Sequence, residues 1–174
     1  MIDNFSYHLS SQLTTFIGKK LYVDFNSLTC IEPKDVWKDK PHIIVSSFFI
    51  ASDPSGGLII FDKAFLNFAI NHLFGYSGQE TGDLNLSLVK CSLRISKKIM
   101  EMMLDVLKAR ITEHLEFDAQ ILKITPSAKD INLQNLPSRV YESIFKITYN
   151  VFQGMLSLIV PENIIEKISL EGKE

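Results

Sequence analysis

The chain has 174 residues, of which 46% are hydrophobic and 22% charged, and its formal net charge is −2. These values describe one globular domain with a proper core and exclude a disordered chain. The absence of a basic block argues against a nucleic-acid-binding role. Cys30 and Cys91 stand alone, so no disulfide framework is predicted and a reducing compartment fits best. No signal peptide is predicted, and the longest apolar stretch is far shorter than the ~20 residues of a membrane helix.

The first half of the chain predicts a helix, three strands and a second helix. An apolar face at helical spacing begins at Phe5, and Gly18 is the predicted stop. The segment Asp53–Gly57, with its proline and two glycines, predicts a tight turn that joins two strands in a hairpin. Asp62 is the predicted N-cap of the second helix, and Gly75 is its predicted end. The first helix is predicted over Phe5–Ile17, and the strands over Lys20–Ile31, His42–Ala51 and Gly57–Phe61.

The second half repeats this order. Its long helix is predicted over Ser87–Glu113, with an apolar face broad enough to be covered on more than one side. Gly154 is predicted to lie in a turn, and Pro161 is expected in the first turn of the final helix. The strands are predicted over Leu115–Thr125, Ser138–Val151 and Met155–Val160.

Each half therefore predicts the order αβββα, and the joints before the last helix are alike. Gly57–Asp62 and Gly154–Pro161 both run from a glycine through an apolar strand to a helix-starting residue. Neither half is large enough to close a core alone. Because hairpin-connected strands pair antiparallel, the two halves are expected to share a mixed or mainly antiparallel six-stranded sheet, with the long helix across one face.

The run from Gly57 to Gly75, GLIIFDKAFLNFAINHLFG, resembles the middle domain of the flagellar motor switch protein FliM. The loop that follows and the long helix after Ser87 are similar to that domain as well, and the resemblance covers nearly the whole chain. The family shares its fold with the CheC, CheX and FliY phosphatases. The resemblance implies an α/β fold of CheC type, a pseudo-twofold α/β/α sandwich of two αβββα halves, in agreement with the repeat.

The same resemblance points to a candidate site in the loop after the second helix. In the family this loop carries a Gly-Gly-x-Gly motif that contacts the switch protein FliG. The matching positions are Gly75, Tyr76, Ser77 and Gly78, so two glycines match and Tyr76 replaces a third. A side chain at this position either adds an aromatic contact to the partner or alters binding. Without the resemblance, Gly75 is explained as an ordinary helix C-cap and Gly78 as an ordinary loop glycine.

FliM proteins also carry an N-terminal segment that binds phosphorylated CheY and a C-terminal FliN-like domain. Neither is expected here, so residues 1–174 are expected to form one middle-domain-like unit. Binding of phosphorylated CheY is expected only through a segment that this sequence does not contain.

The alternative function is that of a CheC-type phosphatase, or a degenerate relative, acting on phosphorylated CheY. Such phosphatases place Glu-x-x-Asn on one helical face, where the Glu holds a lysine of the regulator and the Asn orients the attacking water. No glutamate of this chain has Asn three residues later, so phosphatase activity is disfavoured. The histidines are scattered, and no HExxH, GxSxG or phosphate-loop pattern occurs. No catalytic residue, metal site or cofactor is therefore predicted.

Mean hydropathy is +0.12 and the chain holds 12 Phe, which favours a role in an assembly. Leu9, Leu13 and Phe16 on the first helix, with parts of the long helix, are candidates for contact between copies. The alternative is that all of these side chains belong to the core.

The sequence is thus interpreted as a non-enzymatic subunit of the flagellar motor switch, the C-ring. It is expected to bind FliG and neighbouring FliM copies at the cytoplasmic face of the flagellar basal body. A type III secretion ring component is a third possibility, but a FliN-like domain would be expected with it.

Overall fold

The computed structural model describes residues 2–38, 40, 43–50, 53–75, 86–111 and 118–171. These residues contain four α-helices and six strands, which follow one another in the predicted order αβββα, αβββα. They are α1 (Ile2–Ile17), β1 (Tyr22–Ile31), β2 (Ile43–Ile50), β3 (Asp53–Asp62), α2 (Lys63–Leu73), α3 (Leu86–Ile111), β4 (Ala119–Thr125), β5 (Val140–Tyr149), β6 (Phe152–Pro161) and α4 (Glu162–Glu171). Short 3₁₀ helices occur at Pro33–Asp35, Ala128–Asp130 and Leu133–Asn135.

The six strands form one antiparallel sheet in the order β1-β5-β6-β3-β2-β4. Exchanging the two halves reverses this order and leaves it otherwise unchanged, which is the signature of a pseudo-twofold arrangement. The first strand of each half pairs with the second strand of the other half, and β3 pairs with β6 at the centre. The predicted fold, two αβββα halves sharing a mainly antiparallel six-stranded sheet, is confirmed.

The two faces of the sheet bury different cores because successive residues of a strand point to opposite sides. On β3, Ile59 and Phe61 face the main core, whereas Leu58 and Ile60 face a second one. The main core lies under the buried faces of α1, α2 and α3, with Ile164 of α4. The second core is covered by the 3₁₀ segments and contains Val36, Leu58, Ile60, Ile131, Val140 and Ile159. Within the described residues, none of the helices combines the length and apolar character that crossing a bilayer requires.

Two predicted turn positions are wrong, although the predicted hairpin of β2 and β3 is confirmed. The predicted turn at Asp53–Gly57 lies within β3, which begins at Asp53 and pairs that residue with Ile50 of β2. Gly57 stands opposite Phe48, and a Cβ there would lie 2.4 Å from that ring, so this glycine permits close packing. The turn predicted at Gly154, between the fifth and sixth strands, lies earlier, at Asn150, whose φ is +51°, and Gly154 itself belongs to β6. Asparagine is among the few residues that adopt this backbone conformation readily.

The helix face predicted as a candidate for contact between copies is mostly buried. Leu9 and Leu13 are 0% exposed and belong to the main core, and Phe16 is partly buried against it. Contact between copies through Leu9 and Leu13 is therefore contradicted by their burial, and the core alternative holds for both. Gly18 ends α1 as predicted, with φ of +74° and its N–H donating to the carbonyl of Thr14.

Candidate partner-binding site

Asp62 fixes the start of α2 and ties it to the sheet. One carboxylate oxygen accepts from Phe65 N at 2.7 Å, which confirms the predicted N-cap. The other accepts from Met155 N at 2.8 Å, a contact to β6 that local sequence does not predict. Burial raises the pKa of Asp62 above its ordinary value, and the two backbone hydrogen bonds act in the opposite direction. One side chain thus holds both the helix and the neighbouring strand.

We expect Asp62→Ala to lower the free energy of unfolding by about 2 kcal/mol, because it removes an N-cap and leaves a strand N–H without its acceptor. Asp62→Asn should cost roughly half as much, since its amide has a single acceptor oxygen. The exposed Asp105→Ala on α3 serves as the control. Urea denaturation measures all three, and a cost for Asp62→Ala equal to the control would contradict the assignment.

The raised pKa of Asp62 also sets a pH dependence for its contribution to stability. Just above pH 3.8 the folded chain binds more protons at this site than the unfolded chain. The part of the stability that comes from the raised pKa is therefore fully present below that pH and is lost as the pH rises through the folded-state pKa, whereas the charged carboxylate still accepts both backbone hydrogen bonds.

The α2 helix lies across the end of the β5–β6 hairpin. The paired part of β3 and β6 ends at Phe61 and Leu156, so the hairpin continues beyond β3. There Phe68 stacks on Phe152, with ring centroids 4.3 Å apart and an interplanar angle of 16°. Aromatic stacking of this kind adds to the free energy gained by burial.

A histidine extends this contact towards the end of the helix. The ring of His72 lies 4.2 Å from that of Phe68 and 5.6 Å from that of Tyr149 on β5. Its Nδ1 is 2.9 Å from the carbonyl oxygen of Phe68, within hydrogen-bonding distance. His72 therefore sits at the boundary of the core.

The end of α2 has the geometry predicted for Gly75. Phe74 N donates to the carbonyl of Ile70 at 3.0 Å, and Gly75 N donates to that of His72 at 3.4 Å. Gly75 has φ of +74°, a conformation that glycine adopts without the steric cost of a Cβ. A Cβ at Gly75 would meet nothing within 4 Å, so its backbone conformation, rather than close packing, requires glycine.

Of the four predicted site residues, Gly75 alone belongs to the described part of the chain. Tyr76, Ser77 and Gly78 lie outside the described residues. Gly75 is the base of the candidate loop, and its position is fixed by α2. That helix is hydrogen-bonded to β6 through its N-cap and packs on the β5–β6 hairpin near its end.

Sequence reasoning missed the side chains that flank this base. Phe74 is 51% exposed, and Val151, at the tip of the β5–β6 hairpin, is 96% exposed. The missed signal was composition: residues 64–79 and 147–161 contain no Asp, Glu, Lys or Arg in a chain that is 22% charged. Charge depletion is typical of the centre of protein interfaces.

A cavity of about 290 Å³ opens elsewhere in the fold, between the β2–β3 strands and the loop after β4. Its lining includes Lys123 and Asp130, and their polar groups hold that loop in place. Lys123 Nζ donates to the carbonyl of Asp130 at 2.7 Å, and Thr125 Oγ1 donates to its carboxylate at 2.8 Å. Over the described residues, no cluster of His, Cys, Asp and Glu has the arrangement of a metal site.

No family model matches the chain, and no curated protein matches its sequence. Solved structures do match its fold. FliM in a FliG–FliM complex from Helicobacter pylori is similar with a TM-score of 0.82 at 18% identity, covering 96% of this chain and 92% of that one. The chain has the fold of the FliM middle domain.

Two further structures agree with this fold. The FliM middle domain from Vibrio alginolyticus has a TM-score of 0.78 at 12% identity and covers 96% of this chain and 94% of that one. FliY from Thermotoga maritima has a TM-score of 0.72 at 16% identity, over 98% of this chain and 91% of that one. Since these identities are low, the similarity establishes the FliM middle-domain fold and leaves partner binding to be argued from the site.

Proposed function

We propose that this chain is a non-enzymatic subunit of the flagellar motor switch, positioned in the C-ring at the cytoplasmic face of the basal body. In this proposal the loop that starts at Gly75 binds FliG, and further surfaces contact neighbouring copies. The observation that carries the proposal is the match over 96% of the chain to a FliM structure solved in complex with FliG. Gly75, in its left-handed conformation, stands where the family motif begins.

The local structure suits a loop that transmits force to a partner. The α2 helix begins at a carboxylate bonded to β6, and its last turns pack on the aromatic rings of the β5–β6 hairpin. A loop leaving such a helix has a fixed starting point. Glycines in the loop let the partner's backbone approach closely, and Tyr76 supplies an aromatic side chain beside them.

Calorimetry with FliG from the source organism tests the proposal. We expect the wild-type chain to bind and Gly78→Asp to weaken binding by at least about a hundredfold, because it places a bulky charge at a close contact. Gly18→Asp is the control for the same substitution at a glycine outside this loop, where a Cβ would meet nothing within 4 Å. Circular dichroism and thermal midpoints verify that all variants fold.

Two results would contradict this proposal in different ways. Unfolding of Gly78→Asp, with Gly18→Asp folded, would make the loop a structural element of the domain. Folded proteins that all fail to bind FliG would refute the switch assignment, and acceleration of the decay of phosphorylated CheY would then be the next measurement.

A further inference from the structure

Ring contacts of Phe68 and His72 join the last turns of α2 to the tip of the β5–β6 hairpin. We call this region the tip surface and define it by Phe74, Tyr149, Val151 and Phe152. Phe152 stacks on Phe68 of α2, and Tyr149 contacts both Phe68 and His72. Because these rings connect the helix to the hairpin, the two parts keep a fixed relation to each other and to Gly75.

The tip surface exposes apolar side chains that the fold does not use. Val151 is 96% exposed. The hairpin turn is made by the preceding residue, Asn150, whose φ is +51°, so the turn does not require an apolar side chain at position 151. Phe74 is 51% exposed one residue before Gly75. Single exposed apolar residues are common, but two beside aromatic rings at the base of a candidate binding loop indicate an interface.

Charge is absent from both segments that build the tip surface. Residues 64–79 and 147–161 contain no Asp, Glu, Lys or Arg, and His72 is their sole titratable group besides tyrosine. The side chains of the tip surface gain free energy by leaving water and themselves offer no charge pairs to a partner. The complementary surface on a partner is therefore uncharged and apolar.

We infer that the tip surface is an apolar docking surface for FliG next to Gly75, and that Val151 is one of its contact residues. This inference rests on the proposed function, because it takes FliG as the occupant. It adds that an uncharged, apolar face of FliG covers the β5–β6 hairpin tip, and that binding is nearly independent of salt.

The test compares Val151→Asp with Leu122→Asp in calorimetry with FliG. Leu122 is 68% exposed on β4, outside the tip surface, so it is the matched control for adding a charge at an exposed apolar position. Val151→Asp should weaken binding by roughly tenfold or more, and Leu122→Asp and Val151→Ile should leave the Kd within about twofold. For the wild type, the Kd should change by less than about threefold between about 50 and about 300 mM salt, because no charge pair is screened.

Each outcome decides the inference. If the wild type binds, Gly78→Asp fails to bind and Val151→Asp matches its control, the proposed function stands and the tip-surface inference is wrong. Steep salt dependence also overturns the inference. If Val151→Asp weakens only self-association, measured by sedimentation, the occupant is a second copy and the inference is wrong. If the folded wild type does not bind FliG, both the proposed function and the inference fail.

Discussion

Replacing Gly57 by alanine is expected to lower the free energy of unfolding by about 3 kcal/mol or more, because the added methyl group has no room. A Cβ at this position would lie 2.4 Å from Cζ of Phe48 and 2.6 Å from the carbonyl oxygen of Ile159. Phe48 is 1% exposed and belongs to the main core, so its ring can move only by displacing neighbouring side chains. Ile159 belongs to β6, and moving its backbone would disturb the central pairing of the sheet.

The control for this substitution is Gly18→Ala. Gly18 has a left-handed backbone but nothing within 4 Å of a Cβ, so alanine there should cost only about 1 kcal/mol, the price of its conformation. Urea denaturation of both variants separates the effect of packing from that of backbone conformation. Equal costs for the two variants would show that the contact around Gly57 is looser than these distances indicate.

Gly57 also shows where sequence reasoning reached its limit in the fold. Apolar spacing predicted the order of helices and strands because periodicity is a local property of the chain. The composition of Asp53–Gly57 is that of a turn, yet the glycine is required by a ring nine residues away on the neighbouring strand. The pairing of β1 with β5 and of β4 with β2 joins different halves, so no local pattern encodes it.

In the candidate site, too, some features could be predicted from the sequence and others could not. Asp62 as an N-cap and Gly75 as a helix end follow from residue type and position alone, and both are confirmed. The bond from Met155 N to Asp62 spans 93 positions of sequence, and the exposure of Val151 depends on the hairpin extending beyond β3. Such features need the tertiary structure, although the uncharged runs around them are visible in the sequence.

Lys40→Met is expected to lower the free energy of unfolding by about 3 kcal/mol, because it leaves the carboxylate of Glu142 buried without its counter-charge. Lys40 Nζ lies 3.0 Å from Glu142 Oε1 and donates to the carbonyl of Val36 at 2.8 Å. The side chains are 18% and 7% exposed. Because Glu142 Oε1 accepts no hydrogen bond of good geometry, the contact is an ion pair that depends on the lysine charge.

The exposed pair Lys34–Glu32 provides the control in the same segment. Its charged atoms are closer, at 2.7 Å, but the side chains are 72% and 59% exposed. Lys34→Met should therefore change the free energy of unfolding by less than about 1 kcal/mol, since water screens the pair. If distance alone decided the strength of an ion pair, Lys34→Met would cost more stability than Lys40→Met. The comparison of the two variants therefore isolates the effect of burial.

The double variant Lys40→Met with Glu142→Leu separates the value of the pair from the cost of breaking it. Glu142 lies on the face of β5 that also carries Val140, a member of the second core, where apolar side chains surround it. Removing both charges should restore stability to within about 1 kcal/mol of the wild type, because neither group then remains buried and unpaired. If the double variant is as unstable as Lys40→Met alone, the ion pair itself stabilises the packing of the segment before β2 onto the sheet. In that case the loss in Lys40→Met measures the attraction between the charges rather than the desolvation of Glu142.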